Sequence, residues 1–502
     1  MTLGDDPVSF AVMQRLSGLD AGFLYMETPT SHMHVAGLQI LDPSTMAGDT
    51  LDLDEIKRMI GDRLHLAPPF RRRLAEVPLG LHHPLWIEDP DFDLNEHVHH
   101  IAVPSPGGRR ELADLVAHLN SIQLDRSRPL WEVWVIEGLE GGKIATLSKT
   151  HHAAIDGASG NELTVALLDT TPEIVDHPPS EEWVPDKVPT DFELLTYAAG
   201  SLARQPLSAV KAVKRTVESA LAVRSRNRQP DIDPPPGVGD APATSFNGAL
   251  TPRRSFGYTT VSLSEVKDLK NALGVTVNDI VLGLCAGALR SYLDGRGEHY
   301  DAPLVAMVPV SVRSDDEKDT LGNRVSSMLC SLATDLDDPV DRVRAIHEGT
   351  RQAKEQHQAI GADTLSNWAE FMAPAVLGRA ARLYSRTRMA DRHRPLFNVT
   401  ISNVPGPPFD LYSGGARMEA MYPLGPIMDG GAINITVMSY KDNLDFGIYA
   451  CPDLVDDPFV IADGIEAALA DLSRAAKKPA KKTVKKAGTR KKAAPRKPAT
   501  AS

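Results

Sequence analysis

Apolar positions along this chain recur with two periods, and the periods alternate. Residues 35–41 form a short apolar run that predicts a strand. Leu53, Ile56, Met59, Ile60 and Leu64 then recur three and four apart, which predicts a helix over 51–64. Leu112, Leu115, Val116 and Leu119 predict a second helix over 112–124. Trp131 to Gly138 and Ile144 to His151 read as strands, and a helix follows from Gly157 to Leu168.

The second half resumes the alternation. Strands are expected at 258–263, 304–312, 326–332, 397–402, 418–423, 432–440 and 444–450. Ser262 and Glu265 match a capping box opening a helix that carries Val266, Leu269 and Leu273. Thr276 and Asp279 form a second, weaker box before a helix over 277–293. Pro339 suits the start of a helix over 340–358, and residues 453–475 hold the last one.

Residues 172–246 break the pattern with paired prolines and the run Pro234-Pro235-Pro236, around one helical stretch at 192–223. They read as a linker or crossover between an N-terminal domain, 1–171, and a C-terminal domain, 247–473. The expected class is α/β or α+β, with two sheet-and-helix layers.

Composition adds limits. The 502 residues are 42% hydrophobic and 24% charged, an ordinary globular balance. The most apolar helical segment, Ile280 to Leu289, is far short of the roughly 18 residues that span a bilayer. The acidic start, Met1 to Asp6, lacks the pattern of a secretory leader. Cys285, Cys330 and Cys451 are odd in number and far apart, so reduced core residues in a cytoplasmic protein are expected.

Charge is unevenly placed. From Arg474 onward there are twelve Lys or Arg and no Asp or Glu. The remaining 42 basic and 66 acidic residues give 1–473 a net charge of −24. The segment 474–502 is too charged and too poor in apolar residues to order itself. It reads either as a solubility tail or as an adhesive for anionic lipid, where each Lys contributes on the order of 1 kcal/mol. Nucleic acid is disfavoured by the acidic body and by an aromatic share of only 5%.

One stretch carries chemistry: Lys149-Thr150-His151-His152-Ala153-Ala154-Ile155-Asp156-Gly157. A histidine held at a strand end by a structured turn can serve as a general base near neutral pH. The other histidine groups, His32 with His34, His82 with His83, and His97 with His99 and His100, have ligand-like spacing. No cysteine or carboxylate set completes a zinc site, so no metal is expected and these are expected at the surface or in loops. No Gly-rich phosphate loop precedes a helix.

Taken in order, these residues become specific. Leu16-Ser17-Gly18-Leu19-Asp20-Ala21-Gly22-Phe23, Pro129-Leu130-Trp131, the HHxxxDG of His151 to Gly157, Asn278-Asp279, Pro309 to Arg313, Gly322-Asn323-Arg324 and Ser402 to Pro407 occur at plausible separations. The chain resembles the bacterial wax ester synthase/diacylglycerol acyltransferase family over roughly residues 10–472, excluding the tail. That family belongs with the CoA-dependent acyltransferases, including chloramphenicol acetyltransferase and peptide-synthetase condensation domains.

The resemblance implies two chloramphenicol-acetyltransferase-like domains with a tunnel between them. Acyl-CoA, the co-substrate, would enter from one side and diacylglycerol or a long-chain alcohol from the other, with no further cofactor. Acyl transfer from a thioester needs a base for the alcohol and donors for the oxyanion. His152 is the expected base and His151 a positioning residue. Asp156 is expected to organise the turn, with Arg313 as its candidate partner, and Gly157 lets the backbone turn. Ser402 and Asn403 are candidate oxyanion donors or, equally, part of a loop turn before Pro405. Asn278 and Asp279 are expected to cap a helix, and Trp131 to sit in the core at a strand start. The expected location is cytoplasmic, with peripheral contact to membrane or lipid droplets through the tail. The alternative is a non-catalytic or weakly active lipid-binding protein on the same fold. A condensation-like enzyme is disfavoured because no carrier or adenylation domain is present.

Overall fold

A computed structural model describes residues 14–46, 52–155, 165–179, 183–201, 236–237, 239–311, 325–360 and 374–477. Two six-stranded sheets dominate it. The first runs, in spatial order, Tyr412–Ser413, Ala416–Leu424, His34–Asp42, Ile144–His151, Trp131–Glu137 and Val98–Ala102. All its pairs are antiparallel except the last. The second runs Val325–Ser331, Val305–Ser311, Val399–Val404, Ile433–Tyr440, Asn443–Ala450 and Ser255–Ser262. Its three central strands are parallel and its outer pairs antiparallel. A small sheet of Gln14–Arg15, Leu85–Glu88 and Arg72–Ala75 lies apart.

The sheets are not divided at the proline-rich middle. The strand Ala416–Leu424, from the second half of the chain, pairs with His34–Asp42 in the first sheet, and Tyr412–Ser413 extends it. Pro423 lies opposite Gly37 there, while its carbonyl faces Gly447 of the second sheet. A Cβ on Gly447 would overlap that carbonyl, so only glycine admits the crossing strand this closely. The core is correspondingly continuous: Leu38, Ala145 and Leu147 share one cluster with Ile401, Ile435 and Phe446.

Helices follow the apolar spacing. Leu53–Arg63 buries Ile56, Met59 and Ile60, and Arg109–Ser121 buries Leu112, Val116 and Leu119. Val277–Gly295 is buried nearly all round, at about 1.5–3 kcal/mol for each fully buried Leu, Ile or Val. The two capping boxes exchange rank. Thr276 and Asp279 complete theirs. Ser262 caps the Glu265 amide, but the Glu265 carboxylate accepts from Ser473 instead, 2.7 Å away.

Three cysteines are free and buried, and burial pushes the thiols of Cys285 and Cys330 up to about 12. The final helix, Pro458–Ala476, extends through Arg474 into the basic segment, so that segment begins helical; residues 478–502 lie outside the described residues. Of the helix expected over 157–168, residues 165–167 are helical and 157–164 lie outside the described residues. Of the stretch at 192–223, residues 191–201 are helical and 202–235 lie outside them. Two helices outside the expected set, Gly18–Met26 and Pro374–Arg386, pack together.

Candidate active site

The central strand Ile144–His151 delivers both histidines to the seam between the sheets. Its neighbours hold the strand end. The His151 amide donates to the Leu130 carbonyl at 2.9 Å, which gives Pro129-Leu130-Trp131 a positioning job beyond starting a strand. The His152 amide donates to the Met33 carbonyl at 2.8 Å. Trp131 is buried, stacks between Phe70 and His97, and donates its indole N–H to the Phe70 carbonyl at 2.8 Å.

The two histidines face different surroundings. His151 is 1% exposed, and its Nδ1 accepts from the Ala153 amide at 3.0 Å. Its proton therefore sits on Nε2, which lies 3.2 Å from Glu27 Oε1. Nδ1 is thus held by the backbone, while Nε2 faces the Glu27 carboxylate. His152 is half-buried, stacks flat on Phe23 at 4.1 Å between ring centres, and lines a cavity.

Glu27 is the hub that sequence reading missed. It caps the helix Gly18–Met26, whose N-cap Ser17 accepts from the Asp20 amide. Its carboxylate also accepts from the Met33 amide at 3.2 Å, Gln123 at 3.0 Å and Arg126 at 2.6 Å. Burial works to raise its pKa. The neighbouring His151 ring, Arg126 and His34 overcome that and hold it far below the usual carboxylate range. The only signal for it in sequence was a lone acid seven residues before His34, at a helix end that the apolar spacing did not mark.

The other histidines are mostly interior: His32, His82, His83 and His97 stand in loops or turns as expected, but they are buried or half-buried and not at the surface. His34 pairs with His151 across the strands, and burial drives its pKa well below the ordinary value. His32 stacks on His34, and its pKa is also lowered by burial. His82 bonds Ser201, His83 bonds Tyr25, and His97 bonds the Trp131 carbonyl, all three buried. Aromatic stacking and carbonyl acceptors replaced water for these rings. Only His100 of these groups is exposed. Among the described residues, no three His, Cys, Asp or Glu side chains are arranged to hold a metal ion. Lys149 is also buried; its ammonium reaches Glu132 at 2.9 Å and the Leu119 and Ile122 carbonyls.

The cavity beside His152 measures about 290 Å³ and is walled by both sheets. Gly37, Thr146 and Ser148 line it from the first, Thr400, Ser402 and Thr436 from the second, and Met421 from the crossing strand. Most of its wall is apolar, with hydroxyls interspersed, which suits a long hydrocarbon carrying one reacting polar group. Ser402 therefore shares the cavity with His152 and Trp131. Ser402 and Asn403 stand inside the strand Val399–Val404, not in a loop turn, and Asn403 is not among the lining residues. The strand continues because its parallel register with Ile433–Tyr440 runs through Val404.

Asp279 is 1% exposed and structural. Besides its capping box it accepts from His347 at 2.7 Å and Thr350 at 2.8 Å, and these bonds lower its pKa against the burial that would raise it. Asn278 stands beside it in the first turn, half-buried and away from the cavity. Asp156, Gly157, Arg313, Asn323 and Arg324 lie outside the described residues.

Two sheets closing on an apolar cavity, with a histidine pair at a central strand end, define a class of fold. It is shared with the first condensation domain of the CDA synthetase (16% identity, TM-score 0.54, covering 93% of this chain and 97% of that one). Models of the wax ester synthase/diacylglycerol acyltransferase catalytic domain and of the WS/DGAT C-terminal domain match residues 16–281 and 321–473. The chain belongs to the wax ester synthase/diacylglycerol acyltransferase family. It is 40% identical over 474 residues to a putative diacylglycerol O-acyltransferase of Mycobacterium tuberculosis H37Rv, covering 93% of this chain and 92% of the relative. A second relative from that strain, with the same description, is 37% identical over 469 residues, covering 92% and 97%. The solved wax ester synthase/diacylglycerol acyltransferase of Marinobacter aquaeolei VT8 is 30% identical, with a TM-score of 0.64, covering 92% of this chain and all of that one.

Proposed function

We propose that this protein transfers a fatty acyl group from acyl-CoA to the hydroxyl of diacylglycerol, yielding triacylglycerol, or to a long-chain alcohol, yielding a wax ester. One observation carries the assignment of the base. His151 is buried outside the cavity lining, with Nδ1 held by the Ala153 amide and Nε2 facing Glu27, whereas His152 lines the cavity.

His152 takes the proton from the acceptor hydroxyl as its oxygen attacks the thioester carbonyl. The C–O bond forms, and charge collects on the former carbonyl oxygen, where the Ser402 hydroxyl is the candidate donor. The intermediate collapses with cleavage of the C–S bond. The CoA thiolate takes the proton back from His152, and free CoA leaves. No acyl-enzyme is needed, because a thiolate is already a good leaving group. Glu27 holds His151, and His151 with Met33 fixes the turn that aims His152.

The test is labelled acyl-CoA incubated with diacylglycerol or hexadecanol, with products separated by polarity. Ester is expected with the parent chain and none with His152→Ala. Full turnover by His152→Ala rejects the base, and no ester with any acceptor favours a non-catalytic lipid-binding role. The apolar wall and the intact His151 and His152 favour catalysis over that alternative.

A further inference from the structure

A surface feature outside the cavity has no role in this chemistry. The helix Pro374–Arg386 shows two ridges to solvent. Val376, Ala380 and Leu383 share one face by their spacing, and Val376 and Leu383 are 65% and 62% exposed. Arg379, Arg382 and Arg386 stand exposed on the adjoining ridge and form no ion pair among the described residues. Leu377, Gly378 and Ala381, at least half-buried, make the inner face. Residues 374–396 contain six arginines against one aspartate, in a chain whose net charge is −12.

A second element of the same surface is strained. The turn Pro78–Gly80 packs against this helix and carries Leu79 at φ 62° with 84% of its surface in water. A left-handed leucine pointing into solvent costs free energy twice, in backbone strain and in apolar exposure. Both costs are offset if the side chain enters an apolar phase.

We propose that the helix Pro374–Arg386 and the turn at Leu79 dock the enzyme on an anionic lipid surface. Apolar side chains would enter the acyl boundary while the arginines pair with lipid phosphates. The charge favours an anionic surface over a second copy of this acidic chain. The placement also serves delivery, a point that rests on the acyltransfer reading. The helix packs on Gly18–Met26, and its Ser385 bonds Thr30 in the turn just after that helix at 2.9 Å. That same helix brings Phe23 to His152 and Met26, itself 41% exposed, to the cavity.

Flotation of the full chain with vesicles of phosphatidylcholine and phosphatidylglycerol tests the docking without requiring turnover. The parent should float with anionic vesicles, less so at high salt. Arg379→Gln with Arg382→Gln and Arg386→Gln should weaken partitioning about a hundredfold, at about fivefold per charge. Leu79→Asp with Leu383→Asp should abolish flotation while the thermal transition stays unchanged. Should that pair unfold, Leu383→Ala is read instead, with a reduction of several-fold expected. A parent that does not float overturns the proposal. So do variants that float like the parent, which would assign binding to the basic tail. Unchanged flotation with a drop in mass by light scattering assigns the surface to self-association and likewise overturns it. Vesicle binding without ester formation leaves the docking intact and rejects the acyltransfer reading.

Discussion

Buried ionisable side chains are concentrated behind the first sheet and sparse in the helix behind the second. Around the end of Ile144–His151 the protein buries Glu27, His34, Lys149 and His151 within contact of one another or of backbone carbonyls. The helix behind the second sheet, Val277–Gly295, buries thirteen residues of which Asp279 alone is charged. The contrast separates two tasks. The first sheet holds an electrostatic scaffold that fixes one imidazole; the second supplies the cavity wall and the hydroxyls opposite.

Substitutions can break that contrast. The largest effect is expected at His152. His152→Ala should lower kcat by about 10²–10⁴-fold with the melting temperature unchanged, read by ester formation and calorimetry. Next is Glu27→Ala, which leaves His151 and Arg126 without their carboxylate. A loss of about 3–5 kcal/mol by urea unfolding is expected, with turnover impaired in whatever remains folded. Undiminished stability would mean that the scaffold is decorative. On the second sheet, Ser402→Ala should cost about 10² in kcat at constant KM, the scale of one oxyanion donor, while Asn403→Ala leaves kcat unchanged. Asp279→Ala should cost about 2 kcal/mol of stability and nothing in turnover per folded molecule.

Acid should act on the first sheet in two stages. His34 is kept neutral by burial, so below its ordinary value near 6.5 the unfolded chain binds the proton first and stability falls with pH. Glu27 is depressed when folded, so its contribution is complete above about pH 4.5 and is lost as pH falls below that. Each group contributes a slope of at most about 1.4 kcal/mol per pH unit. Thermal unfolding from pH 8 to 3 should show both stages, and His34→Gln should shrink the upper one, to which His32, His97 and His99, also lowered by burial, contribute the rest.

Much of this layout was legible in sequence, because strands and amphipathic helices advertise themselves by period. The strand Ile144–His151 and the helix start at Val277 fall where apolar spacing places them. The family motifs likewise pointed to His152. What stayed hidden depended on partners remote in the chain. Glu27 meets Gln123 and Arg126 about a hundred residues on, and no local pattern encodes that meeting. The interior histidines were missed because polarity was taken as exposure, whereas stacking and carbonyl acceptors satisfy these rings. The helix Pro374–Arg386 was legible and overlooked: Val376, Ala380 and Leu383 separate from Arg379, Arg382 and Arg386 at helical spacing.

The crossing strand has a consequence for synthesis. His34–Asp42 is among the first strands to leave the ribosome, but its partner Ala416–Leu424 emerges some 380 residues later, as with Gly37 and Pro423. At about 5–20 residues per second, that interval is tens of seconds. Throughout it, His34–Asp42 is an open edge, with amides and carbonyls ready to pair with another nascent chain. A fragment ending at the proline-rich middle would keep that edge permanently and aggregate, and fast translation or chaperone cover would raise the yield of the whole protein.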